Sequence, residues 1–141
     1  MPAGKWGADE SAGRLIASGK IEPLLMVGIY NTGDHRIDEY TPTGNEKGQG
    51  GALHLYARFL VEELKPYIDA NYRTRAGPQD TGLGGSSPGA LASVVVGLSF
   101  PHVYGKLALH SPSVWWGGRV ALEQVRGLET KPGTRINAAG D

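Results

Sequence analysis

The sequence predicts an α/β fold: a mostly parallel sheet with helices on its faces. Three observations predict it. Segments of strand length alternate with segments of helical periodicity, in the order strand–helix–strand–helix–strand–helix–strand. Two of the strand-length runs, residues 23–30 and 105–110, are apolar enough for strands buried on both faces rather than solvated on one. Between them a third short run enters the glycine-rich turn Gly85-Ser86-Ser87-Pro88-Gly89 and leaves it as an apolar helix.

Composition narrows the classes. At 141 residues the chain is one domain, long enough to bury roughly two-thirds of its surface. The formal net charge is zero. No long run of Lys and Arg occurs, which argues against nucleic acid or an anionic membrane as the main partner. There is no cysteine, so disulfides and thiolate metal sites are excluded. Met1-Pro-Ala-Gly-Lys5 has no apolar leader core, and no segment is long enough to span a bilayer. A soluble, cytoplasmic domain without a cofactor is the expectation.

The elements follow in order. Residues 1–7 are glycine-rich and expected to be loose. Residues 8–19 read as a short helix, with Asp9, Glu10 and Ser11 in its first turn and Gly19 at its end. Residues 23–30, Pro-Leu-Leu-Met-Val-Gly-Ile-Tyr, read as the first buried strand. The polar stretch Asn31-Thr-Gly-Asp-His-Arg36 follows at its carboxyl end, where open α/β sheets carry their ligand crevice. Residues 41–51, with Pro42 and four glycines, read as a surface loop. Across 52–72, Leu53, Tyr56, Phe59, Leu60, Leu64, Tyr67 and Ile68 form one helical stripe, bent or interrupted near its end by Pro66. Strands are expected at 81–84, 105–110 and 134–140, and helices at 88–99 and 119–127.

The turn at 85–89 fits G-x-S-x-G. In a nucleophile elbow a strand enters a sharp turn with a serine at its tip and exits as a helix. The backbone reverses so tightly that the positions two before and two after the serine are expected to crowd each other. The helix N-terminus beneath the serine favours developing negative charge. With 22 glycines in the chain, the pattern equally describes a glycine-rich turn capped by Ser86 or Ser87.

Several stretches resemble one family. They are Gly33-Asp-His-Arg-Ile-Asp-Glu-Tyr-Thr-Pro, Phe59-Leu-Val-Glu-Glu-Leu-Lys-Pro-Tyr-Ile-Asp-Ala-Asn-Tyr-Arg, Gly84-Gly-Ser-Ser-Pro-Gly and Gly105-Lys-Leu-Ala-Leu-His-Ser-Pro-Ser-Val-Trp-Trp. Together they are similar to the enterochelin-esterase and feruloyl-esterase branch of the α/β-hydrolases, which is esterase D-like. The resemblance covers nearly the whole chain. It implies a three-layer α/β-hydrolase sheet and hydrolysis of carboxylic esters through an acyl-enzyme, with Ser87 at the nucleophile's position.

Three departures stand out against that family. Pro88 occupies the position after the nucleophile, where a backbone N–H ordinarily serves the oxyanion hole, and proline has none. The segment bearing the other oxyanion donor is not visible before Lys5-Trp6. The family's catalytic histidine has no counterpart after the last strand, although Asp141 stands close to where the acid is expected. The chain therefore reads as the middle of an esterase, with outer strands missing at both ends.

Other residues are candidates for the remaining roles. His110, at the end of a strand expected beside the elbow strand, can serve as base to Ser87 or fill the strand end against Trp115 or Trp116. His35 and Arg36 line the expected crevice or are solvated. Ser86 neighbours the nucleophile. Trp115 and Trp116 can stack on a sugar or an aromatic acyl group, or pack in the core. Asp34, Asp38 and Glu39 around Arg36 read as a local ion-pair set rather than a metal site, their spacing fitting no calcium loop. Gly82-Leu-Gly-Gly85 lacks the Lys-Ser/Thr of a phosphate loop.

The leading expectation is a serine ester hydrolase acting on a small ester or acylated sugar. Ser87, His110 and Asp141 would be catalytic, and His35, Arg36, Ser86, Trp115 and Trp116 would bind substrate. A second is a catalytically impaired domain that binds a partner or its own copy, because a sheet without outer strands has edges open to pairing. A homo-oligomer is expected on that ground. A third is a glycosidase using Trp115 and paired carboxylates.

Overall fold

The computed structural model describes residues 7–119, 122–123, 126–127 and 133–139. The expectations for residues 1–6, for Asp141 and for parts of 119–127 lie outside those residues. The chain divides into two units, Met1–Tyr30 and Asn31–Asp141.

The first unit carries helix α1, Ala8–Ala17, with Asp9 and Glu10 in its first turn, where carboxylates complement the helix dipole. Gly19, at φ 69°, ends it in the left-handed region, and the Lys20 N–H donates to Leu15 O at 2.9 Å. The buried strand expected at 23–30 is not formed. That segment has no strand pairing, Leu24, Leu25, Met26 and Val27 are exposed, and Tyr30 is 97% exposed. An apolar run suits a pleated, covered surface, but the ladder itself comes from a neighbouring strand.

The second unit starts with a 3₁₀ turn, Gly33–His35, leading into α2, Arg36–Tyr40. His35 and Arg36 therefore stand on a turn and a helix start, not on a loop hung from a strand end. The loop expected at 41–51 is present. A single antiparallel bridge between Gly44 and Gly50 closes it.

A helical path then runs as α3 (Leu53–Arg58), a π-helical turn (Phe59–Leu64) and α4 (Lys65–Asn71). Pro66 does not end the path. It sits at the start of α4, directly after the wider π turn. Proline offers no N–H to the preceding turn, and a local change of helical register accommodates it. The expected apolar stripe is only partly buried: Leu53 and Leu60 are inside, while Phe59 and Tyr67 are exposed.

Among the described residues the sheet has three parallel strands in the order β1 (Gly82–Ser86), β2 (Lys106–His110) and β3 (Arg135–Ala139). Gly82 pairs with Lys106 and Ser86 with His110. On the other side Lys106 pairs with Arg135 and His110 with Ala139. All three strand ends thus finish level. The chain returns from β1 to β2 through α5, Pro88–Ser99, a crossover that parallel pairing requires.

α5 packs against β1 and β2 and also meets α2. That double contact explains why eight of its residues, from Pro88 to Leu98, are buried. Ala90, Leu107 and Leu109 form the sheet-facing core, with Leu83 and Val94 beside it. Each such Leu stabilises the fold by roughly 1.5–3 kcal/mol through burial. On β2 the buried Leu107 and Leu109 alternate with exposed Lys106, Ala108 and His110, so the core lies on one face and the His110 side chain leaves from the other. Among the described residues no helix is long and apolar enough to cross a membrane.

Candidate active site

Ser87 sits between β1 and α5 with φ 55° and ψ −121°. Non-glycine residues rarely adopt such backbone angles, which cost of order 1–3 kcal/mol. The surroundings hold them. The Ser87 N–H donates to His110 O at 3.0 Å, extending the β1–β2 ladder one step. The Ser87 carbonyl accepts from the N–H groups of Ala90 and Leu91, at 3.1 Å each, and of Ser113, at 3.2 Å. The residue itself is exposed and stands at the N-terminus of a twelve-residue helix, where negative charge is favoured.

The expected crowding of Gly85 and Gly89 is present but one-sided. A Cβ on Gly85 would lie 2.6 Å from Gly89 C and O, which no side chain can move aside. A Cβ on Gly89 would meet only the Tyr40 ring, at 3.7 Å, an ordinary contact. Gly85 is therefore the glycine that the turn requires. Tyr40 is buried behind the elbow, with the Tyr56 ring 5.2 Å away. Burial among these rings pushes the Tyr56 hydroxyl well above its ordinary pKa.

The end of β2 supplies the rest of the site. His110 is level with Ser86, and its backbone carbonyl anchors the elbow. Ser111 follows at φ 44°, with its N–H donating to Ala139 O at 2.7 Å. Ser113, only 5% exposed, brings its hydroxyl to 3.2 Å from Ser87 Oγ. Ser113 was not singled out in the sequence. The available signal was a second serine just past the end of the strand beside the elbow strand.

The two tryptophans separate in role. Trp116 is half-buried and donates Nε1–H to Thr43 O at 2.8 Å, pinning the 41–51 loop to the segment after β2. Trp115 is 68% exposed, its ring 6.0 Å from that of Trp116. Of the two core-or-contact alternatives, Trp116 takes the structural one and Trp115 is left open to solvent.

Asp38 ties the same loop from its other end. It accepts from the Gly50 N–H at 2.6 Å and faces His35 Nδ1 at 3.3 Å. The Gly50 N–H first, then His35, hold its carboxyl below the ordinary range. Arg36 lies over the Tyr40 ring, its Cζ 5.7 Å from the centroid. The acidic stretch is thus a loop fastening built on a backbone hydrogen bond, not only on ion pairs. Asp141, the expected acid, lies outside the described residues.

Comparisons with known proteins agree with this architecture. A family model described as "Putative esterase" matches residues 3–134. An uncharacterized protein of Bacillus subtilis, YbbA, is 30% identical over 121 residues, which are 82% of this chain and 47% of that protein. An endo-1,4-beta-xylanase/feruloyl esterase of Xylanibacter ruminicola is 28% identical over 126 residues, 86% of this chain and 16% of its own. The siderophore hydrolase EstA of Aspergillus nidulans superposes with a TM-score of 0.71 at 18% identity, covering 94% of this chain and 52% of EstA. That likeness is one of fold. The chain spans about half the length of YbbA.

Two predictions follow from the geometry. Gly85→Ala should destabilise the protein by about 1–3 kcal/mol, the usual cost of overpacking, while Gly89→Ala should be nearly neutral; paired denaturant titrations check this. Asp38→Ala should lower stability at neutral pH. Because the folded carboxyl titrates below the unfolded one, that difference should persist above the ordinary carboxylate pKa and disappear as pH falls through the folded value. Thermal melts from pH 7 down to acid would show a gap that stays constant if Asp38 has no such role.

Proposed function

The chain belongs to the esterase family, and from that premise we propose that it hydrolyses carboxylic esters through an acyl-enzyme on Ser87. The observation that carries the reading is the backbone of Ser87. A left-handed, exposed serine over-determined by four backbone hydrogen bonds is a nucleophile presented by a rigid frame.

The chemistry runs in two steps. Ser87 Oγ attacks the ester carbonyl as its proton passes to a base, and the alcohol leaves with a proton returned to it. Water then attacks the acyl-enzyme, the acid is released and Ser87 regains its proton. His110 is our candidate for the base, since its backbone adjoins Ser87 and its side chain leaves the sheet on the face away from the core. We assign the acid's role to Asp141 on its position in the sequence alone.

Pro88, buried at the first position of α5, offers no N–H to the developing oxyanion. The dipole of α5 remains, and a reduced rate is the consequence. Substrate contacts fall to Trp115, which is exposed two residues past Ser113, and to Ser86 beside the nucleophile. His35, Arg36 and Trp116 shape the approach through α2 and the 41–51 loop. A small ester with an aromatic acyl or sugar group suits an exposed indole, and one relative carries feruloyl esterase in its name.

A second reading has its own observation. β1 and β3 are both edges of the described sheet. β3 is exposed along its whole length, with Ile136 49% exposed. Such edges pair with other strands, and we propose self-association through them.

Ser87→Ala should abolish turnover of p-nitrophenyl acetate; an unchanged rate removes Ser87 from the mechanism. Pro88→Ala restores an N–H at the oxyanion position and should raise kcat by about 10²–10³, the usual worth of one such donor. Light scattering at tens of micromolar should give a dimer or larger species, and a monomer at that concentration contradicts self-association.

A further inference from the structure

We infer that Ser113 is a positioning residue for the nucleophile, donating its hydroxyl hydrogen to Ser87 Oγ. The inference rests on the ester-hydrolase reading of Ser87 and deepens it. Two atoms of Ser113 reach Ser87. The Ser113 N–H donates to the Ser87 carbonyl at 3.2 Å, and the two hydroxyls lie 3.2 Å apart. Ser113 is one of three buried polar residues among those described, at 5% exposure. A buried hydroxyl is costly to leave unbonded, and the Ser87 hydroxyl is the partner the structure offers it. Ser87, by contrast, is exposed.

That asymmetry decides the direction of the bond. If the exposed Ser87 donated, its proton would be parked on Ser113 and its lone pairs turned toward solvent. If Ser113 donates, the Ser87 proton is left pointing outward, where a base can take it, and one lone pair is fixed. The second arrangement also grows stronger as charge builds on Oγ, because a hydrogen bond to an ionised acceptor is about twice as strong as a neutral one. Ser113 therefore selects the reactive rotamer of Ser87 and stabilises the incipient alkoxide.

The backbone fits this role. Ser113 is held two residues beyond Ser111, whose own left-handed φ of 44° turns the chain out of β2. One strand end thus presents two groups to the same serine, the His110 carbonyl to its N–H and the Ser113 hydroxyl to its Oγ. With Pro88 giving no donor at the oxyanion position, polar support for the reacting atoms falls more heavily on the β2 side.

The test is the rate at which a fluorophosphonate labels Ser87, measured against pH on the full chain. In that reaction the Oγ–P bond forms, the P–F bond breaks, fluoride leaves and the serine proton goes to base or solvent. Wild type against Ser87→Ala comes first. Equal labelling of the two, or none of the wild type, fails the ester-hydrolase reading and this inference with it.

With that arm positive, Ser113→Ala should label about tenfold more slowly, the upper range for one hydrogen bond. Its pH–rate profile should move to higher pH, and for p-nitrophenyl acetate kcat should fall with KM unchanged. Ser113→Thr, which keeps the hydroxyl, should stay within about threefold of wild type. A purely structural Ser113 would lower the melting temperature without moving the pH profile. That result, or equal labelling rates in Ser113→Ala and wild type, overturns the inference.

Discussion

Where β1 passes into α5, the backbones of Gly85 and Gly89 come so close that a methyl group on Gly85 would collide with the carbonyl two residues past Ser87. A reversal that tight leaves the residue at its tip no ordinary conformation. Ser87 takes φ 55°, the residue stays exposed, and its carbonyl is drawn back to cap the first turn of α5 through the N–H groups of Ala90 and Leu91. The core does the holding. Ala90, Leu107 and Leu109 fasten the helix to the sheet, so the strain at Ser87 cannot relax without prising α5 from β2. A steric constraint of two residues is thereby converted into the strained, exposed backbone of Ser87.

Around this rigid turn lies a softer frame. The 41–51 loop is tied at one side by Asp38 to the Gly50 N–H and at the other by Trp116 to the Thr43 carbonyl. Tyr40 links that frame to the elbow, since its ring stands behind Gly89. Loops so placed on a fixed scaffold are where specificity is ordinarily carried. Ser113 belongs to the rigid part: it is buried, and it approaches Ser87 from the end of the adjacent strand.

Much of this was legible in the sequence because it is local. The span of α5 follows from Pro88 at its start and Pro101 just past its end. β2 and β3 lie within a residue of their expected limits. The tight turn was legible because Gly85 and Ser87 sit within five consecutive residues. What escaped is nonlocal. The apolar run 23–30 carries the composition of a buried strand, but a strand exists only with a neighbour, and no pattern within the run specifies one. The one-sidedness of the glycine pair needed the direction of each Cα–H bond. Ser113 lies 26 residues from Ser87, and only the parallel register of β1 and β2 brings them together. Trp116 and Trp115 are adjacent and identical in type, so no sequence argument could separate the pinned ring from the exposed one.

The central claim is that this strained serine is the atom that takes the acyl group. Acid-quenching the protein during turnover of p-nitrophenyl acetate and mapping its peptides by mass spectrometry tests it directly. An acetyl group on the peptide containing Ser87, localised to that residue and lost on further incubation, is the predicted result. Turnover with no acyl mass on Ser87, or with the acetyl group stably and solely on another side chain, would contradict it.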